Sequence, residues 1–409
     1  MRSRIFGLSF CALAAPALAQ EPQWLTDARA REAKLLPRER KLEAPDDWFT
    51  TRTPLRPVGK VSKDDDGSYS VSFDMGIPNP IECLVTPDSQ DPPVVLAAAA
   101  DATFEMLATQ QGEIEAKGIE SVDARAIGDA IAMEIDWFYR VKGADGARVG
   151  ELHLAYAEKQ GAGIYCVKTE LGYTRTFRSL FERFVANFER ADPPARPAYK
   201  EIVITRIGGK NVGVGVFTLA TDADGDRKDE QTMHLLVPAT SDTLTATTTV
   251  DVEWVRGADL SLINAAHVQT QSGEVVEQLN LAWSSEKSRW AVEGKLDGKQ
   301  LDIELPENAA PVSNLAMLRD LRNALADAGA KGRNLTWTKW SSADPSRLVD
   351  ATATVEELLS ESRALVTQTV GPVRVRATVE RETGQSIELT MPVGPAEMKI
   401  ERVYVHGSL

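Results

Sequence analysis

The sequence predicts an α+β protein of two domains. An antiparallel sheet with covering helices comes first, and a β-rich, curved antiparallel sheet or half-barrel with one or two helices follows. Three observations predict this. Residues 131–141 run with period two and give one largely apolar strand face, and the pattern continues in the segments after it. A stiff, Pro-bearing stretch, RADPPARPAY (190–199), divides the chain, with residues 192–198 as the linker. Beyond it, short alternating runs recur with glycine turn signals between them.

Residues 1–19 read as a secretory signal. Arg2 and Arg4 supply the positive start, Ile5 to Ala15 the apolar run, and Ala17-Leu18-Ala19 the small-x-small cleavage site. The run is too short for a stable bilayer span. Cys11 lies within it, and Phe10 stands where a lipoprotein precursor carries a small residue. The mature chain starts near Gln20 or Glu21, with no transmembrane segment, because VVLAAAADATFEML (94–107) is interrupted by Asp101 and Glu105. A periplasmic or secreted location follows. Loss of Arg2 and Arg4 takes the net charge from −14 to −16. Such an acidic chain repels phosphate backbones, so nucleic acid is excluded as a partner.

Two cysteines survive export, Cys83 and Cys166. An even pair in an oxidising compartment reads as a disulfide, closing a loop of roughly 80 residues worth about 4 kcal/mol. A nucleophilic cysteine with a histidine base is the competing reading, but neither cysteine has a Gly-rich or aromatic nucleophile context.

Residues 20–60 form a polar lead-in with one helix candidate, LTDARAREAKLL, which has Thr26 as N-cap and Pro37 after its end. The first domain spans 61–191. SYSVSF and IECLV read as strands, and Asp91-Pro92-Pro93 starts a helix, with Asp at the N-cap and Pro in the first turn. Ile131, Met133, Ile135, Trp137, Tyr139 and Val141 then line one strand face. ELHLAYA and GIYCVKTEL continue the sheet through turns at Gly143–Gly146 and Gly161–Gly163. The domain closes with a helix whose Phe177, Leu180, Phe181, Phe184, Val185 and Phe188 fall on one stripe, the spacing of a helix that covers a sheet.

The second domain spans 199–409. Val212, Val214 and Val216 alternate, as do Met233, Leu235 and Val237, then Val250, Val252 and Trp254, and later Leu301, Ile303 and Leu305. Gly208-Gly209, Gly257 and Asp297-Gly298 supply turns. Two helices are expected. SNLAMLRDLRNAL places Leu315, Leu318, Leu321 and Leu325 on one face, and TVEELLSESRALV opens with Thr354 and Glu357 at capping-box spacing. VRVRATVE, SIELTMPV and EMKIERVYV return to strand.

The strand–strand–helix–meander–helix order of residues 61–191 resembles the small α/β/α sandwiches of exported bacterial proteins related to the PsbP and DcrB groups. That resemblance implies a binding or accessory module. ITRIGGKNVGVGVFTL, then hairpins, then GEVVEQLNLAW and WAVEGKLDGKQLDIELP (within 199–306) resemble curved β domains of exported bacterial proteins. Some of these precede transglutaminase-like domains, and others are half-barrel lipoprotein carriers. No Cys…His…Asp set follows here, and the mature chain has no cysteine after Cys166.

Catalytic signatures are lacking. His153, His234, His267 and His406 form no His-x-x-x-His pair, there is no Gly-x-Ser-x-Gly elbow, and GGKNVGVG lacks the phosphate-loop order and reads as a turn. His153, flanked by Leu152 and Leu154, is expected to face solvent. Glu134 and Asp136 share one strand face about 7 Å apart, a glycosidase-like spacing that an exposed polar face also produces.

Two groups of candidate site residues remain. In ATDADGDRKDE, Asp222, Asp224, Asp226 and Glu230 are the metal-ligand candidates, with calcium as the cation. Arg227 stands where the loop needs Gly and Met233 where it needs Glu, which favours a hairpin tip rich in Asp and Gly. Trp283, Trp290, Trp337 and Trp340 are candidates to line a ligand pocket, with core packing as the ordinary alternative. Together these readings predict an exported, non-catalytic binding or accessory protein of the bacterial envelope, its partner an apolar small molecule or an envelope protein. An envelope hydrolase with dispersed carboxylates and a structural interaction module are the alternatives.

Overall fold

The computed structural model describes residues 39–76, 79–143 and 146–408. The signal segment and the helix candidate at 25–36 lie outside the described residues. Strands β1 (Arg40–Glu43), β2 (Phe49–Thr53), β3 (Arg56–Pro57), β4 (Ser62–Lys63), β5 (Tyr69–Asp74) and β6 (Ile81–Thr86) precede helix α1 (Pro92–Gln111). A meander follows: β7 (Glu113–Ile127), β8 (Ala130–Gly143), β9 (Gly146–Lys159) and β10 (Ala162–Lys168). Helix α2 (Thr174–Ala186) and the short β11 (Glu189–Arg190) end this half.

These elements make an eight-stranded sheet, ordered β3-β5-β6-β10-β9-β8-β7 with β4 on β5, and a small sheet β1-β2-β11. Alternation along β8 sends Ile131, Met133, Ile135, Trp137, Tyr139 and Val141 to one face, where they pack with Leu96, Phe104 and Leu107 of α1. The opposite face is covered by α2, whose Phe177, Leu180, Phe181, Phe184 and Val185 are wholly buried. Each such side chain removed from water contributes about 1.5–3 kcal/mol, so the stripe fixes which way α2 lies. The lead-in docks beside it: Phe49 stacks on Phe188, and Thr51 Oγ1 donates to Phe184 O at 2.7 Å. Cys83 and Cys166 are directly paired across β6 and β10 and form a disulfide.

Asp91 sits at the N-cap of α1, but its side chain makes no cap hydrogen bond; its Oδ1 instead accepts from Thr248 Oγ1 at 2.7 Å. The fifteen-residue β7, absent from the sequence-level expectation, carries two register shifts that break its period of two.

The second half forms one fourteen-stranded antiparallel sheet. Its first arm comprises β12 (Tyr199–Ile207), β13 (Lys210–Thr221), β14 (Arg227–Pro238), β15 (Leu244–Val255), β16 (Leu262–Gln271), β17 (Glu274–Ser284), β18 (Arg289–Leu296) and β19 (Lys299–Glu304). After helix α3 (Asn314–Leu325), the second arm comprises β20 (Asn334–Trp340), β21 (Leu348–Leu358), β22 (Arg363–Val370), β23 (Val373–Glu380), β24 (Ser386–Val393) and β25 (Ala396–Gly407). β12 pairs with β25 in the middle, so the sheet runs open from β19 at one edge to β20 at the other. The fold is thus mostly β, with open, curved antiparallel sheets.

The helix expected from Thr354 and Glu357 is absent. That segment is the end of β21 and the start of β22, joined by a turn at Ser360–Ser362. Val349, Ala351, Ala353 and Val355 are buried at every second position, and this period of two outweighs the local capping-box pattern.

The halves share a core. Ile202, Ile204, Val214, Leu236 and Ala246 of the curved sheet pack with α1 and the β7–β9 meander. Ile119 N donates to Ser241 O at 2.7 Å, and Asn211 Nδ2 to Asp123 Oδ1 at 2.9 Å. Among the described residues no helix is long and apolar enough to cross a membrane.

Candidate functional site

Strand pairing places Tyr199, Glu201, Val203, Phe217, Leu219, Asp229 and Gln231 on the face of the curved sheet opposite α1. Leu389, Ile400 and Arg402 join them from the second arm. Helix α3 lies across this face. Its start is fixed by Ser313, whose Oγ accepts from Ala316 N at 3.1 Å and donates to Leu260 O at 2.6 Å. Glu253 Oε2 accepts from Asn314 N at 2.6 Å, and Trp337 Nε1 donates to Asp320 Oδ2 at 3.0 Å. Leu321 and Leu325 pack into the second arm and Leu315 into the first.

Between helix and sheet remains a cleft of about 310 Å³. Leu315, Leu318, Leu321, Trp337, Leu389 and Ile400 give it an apolar wall. One end is polar: the Tyr199 hydroxyl donates to Glu201, Gln385 Nε2 donates to Tyr199 Oη and to Glu201, and Arg402 lies 3.4 Å from Glu380 and 4.0 Å from Glu201. Burial pushes the Glu201 carboxyl up against the opposing pull of Tyr199 and Arg402. At the other end, burial and the facing Glu253 push Asp229 up to about 7.

Of the four tryptophans, Trp337 lines this cleft. Trp290 and Trp340 are buried in the neighbouring core, and Trp283 is half-exposed, edge-on to Trp290 at 6.0 Å. The chain therefore does not bring the four together. Asp222, Asp224 and Asp226 sit in the β13–β14 turn, where Asp222 Oδ1 accepts from Asp224 N and Asp226 N, both at 2.9 Å. Asp226 Oδ1 accepts from Gly257 N at 3.1 Å, and Glu230 lies along β14 beside Lys228.

A second polar assembly lies under α2. Glu134, Asp136, Glu151, His153 and Lys168 are all buried, which corrects the expectation of an exposed face for Glu134 and Asp136 and of a solvent-facing His153. The physical reason is α2: its apolar stripe needs a sheet face, and the other face already holds α1. Asp136, His153 and Lys168 are successive partners across β8, β9 and β10. His153 Nε2 is 3.2 Å from Glu134 Oε2 and Nδ1 is 3.1 Å from Asp136 Oδ1. Glu134 is also bound by Arg125, and by Arg178 Nε at 3.1 Å. Burial raises the Glu134 carboxyl, but the His153 bond and the charges of Arg125 and Arg178 outweigh it and hold the group at about 2. Asp136 moves the other way, raised by burial and by the charge of Glu151. The conflict between an amphipathic covering helix and a polar sheet face was the available sequence signal for this assembly.

No protein-family model matches the chain, and no curated protein matches it. Solved structures are similar to parts of it, among them two of the kinds of fold that the sequence resembles. The β-barrel-like protein of the domain of unknown function DUF1849 from Brucella abortus is 14% identical over 51% of this chain and 96% of its own, at a TM-score of 0.38. Cyanobacterial PsbP (CyanoP) from Synechocystis sp. PCC 6803 is 17% identical over 37% of this chain and 92% of its own, at a TM-score of 0.26. At such TM-scores neither likeness carries a functional inference.

Proposed function

We propose that the protein is an exported, non-catalytic binding protein of the bacterial envelope, holding a small amphipathic molecule in the cleft beneath α3. The cleft itself carries this reading. Its volume, about 310 Å³, lies at the lower end of the range for ligand pockets, which suits one apolar chain or ring system. The wall of leucines and Trp337 would take the apolar body, and the Glu201–Gln385–Arg402 end would take a polar head. The N-terminal signal pattern and the disulfide support export. A hydrolase built on Glu134 and Asp136 draws no support, since both lie under α2 away from solvent.

The test is a native mass spectrum of the mature protein, with and without organic extraction, alongside titration with an apolar fluorescent probe. A non-covalent adduct or stoichiometric probe binding that Leu318→Trp abolishes is the expected result. Absence of both, or binding unchanged by Leu318→Trp, overturns the proposal.

A further inference from the structure

The cluster under α2 contains an arrangement that its hydrogen bonds do not explain. His153 Nδ1 and Asp136 Oδ1 lie 3.1 Å apart, yet neither atom makes a hydrogen bond, and both residues are almost wholly buried. The other ring nitrogen, Nε2, faces Glu134, a carboxylate bound by Arg125 and Arg178. A carboxylate so held accepts the Nε2 proton, which leaves a lone pair on Nδ1. That lone pair points toward an oxygen that also carries lone pairs. A proton shared between them would produce an aligned hydrogen bond, and the pair is not aligned. A metal ion between the two atoms needs no such alignment.

Distances and supports agree. Two ligand atoms about 2.0–2.1 Å from a tetrahedral zinc are roughly 3.3 Å apart, close to the observed separation. A third ligand is at hand, since one donor atom from each of Asp136, Glu151 and His153 lies within 4.8 Å of the others. Glu151 is oriented by Thr174 Oγ1 at 2.7 Å and Gly172 N at 2.8 Å, and its Oε2 keeps a lone pair beyond the Gly172 bond. The Glu134–His153 pair has the form of the carboxylate–histidine support behind many metal ligands.

The cluster's own cations are divided among several partners. Arg125 serves Asp123, Glu134 and Glu182, and Arg178 lies between Glu134 and Asp136. Lys168 lies 3.5 Å from Glu151 Oε1 but donates to the carbonyls of Glu170 and Gly172.

We propose that Asp136, Glu151 and His153 form a structural site for a divalent transition ion of the zinc class. The imidazole donor selects such an ion over calcium or magnesium. Phe177 packs tilted against His153 with ring centroids 4.2 Å apart, so α2 closes the site to substrates and the ion is taken up as the domain folds.

The experiment is refolding of the mature chain from urea with chelator, then with zinc or cobalt, followed by metal analysis, melting and the visible cobalt spectrum. One equivalent of bound metal, tetrahedral cobalt bands and a melting temperature raised by about 5 °C or more are expected. Asp136→Asn should lose the metal, whereas Asp222→Asn, in the distant hairpin tip, should retain it. A wild-type chain that binds neither ion and melts unchanged overturns the proposal, a result that needs no variant to fold. Full metal retention by Asp136→Asn, or its loss in Asp222→Asn, overturns it as well.

Discussion

Replacing Asp229 by Asn tests how the floor of the cleft is built. Asp229 faces Glu253 across β14 and β15, is 9% exposed, and has a side-chain bond from Gln231 Nε2 at 3.4 Å. Its carboxyl moves from 3.8 to about 7, through burial first and Glu253 second. Because the folded value is raised, the protonated form suits the fold. Stability is fully present below pH 4 and is lost as pH rises through 7. At about 1.4 kcal/mol per pH unit, the ionised carboxylate costs about 4 kcal/mol at pH 8. Asn imitates the neutral acid and carries no such cost. Urea unfolding followed by tryptophan fluorescence should show Asp229→Asn equal to the wild type near pH 4 and more stable by about 4 kcal/mol at pH 8. An effect of the same size at both pH values would refute the reasoning.

His267 gives a second pH dependence. Burial lowers it, but the bonds that it donates to Asp251 at 2.7 Å and Glu277 at 3.3 Å raise it to about 9. Its contribution, about 2 kcal/mol once screening at the half-exposed Asp251 is allowed for, is full below pH 6.5 and lost as pH rises through 9. His267→Gln should therefore destabilise at pH 6 and be neutral at pH 10 in the same unfolding assay. Reducing the Cys83–Cys166 disulfide, which spans 83 residues of sequence, should cost about 4 kcal/mol, read as a lower denaturation midpoint in dithiothreitol. Ser313→Ala removes the α3 cap and the bond to Leu260, and should cost about 1–2 kcal/mol while weakening probe binding in the cleft.

Much of the fold was legible because period-two alternation and amphipathic stripes are local signals. Ile131 to Val141, the phenylalanine stripe of α2 and Leu315 to Leu325 of α3 all lie where that reasoning places them. It failed at β7, where two bulges break the alternation, and at Thr354–Glu357, where a four-residue capping pattern competes with an eleven-residue strand. Of the residues lining the cleft, Trp337 alone is among the sequence-predicted ligand-pocket candidates, because its walls come from strands nearly two hundred residues apart, such as β12 and β25.

The sequence by itself determined the α+β class, the β-rich second half and the disulfide partners, since these follow from periodicity, turn residues and a cysteine count. Tertiary structure alone decided what the polar side chains do. Glu134, Asp136 and His153 read as a wet strand face until α2 was laid over them, because alternation shows which residues share a face and not what covers it. The cleft likewise exists only because β12 meets β25 and brings the two arms of one sheet around α3.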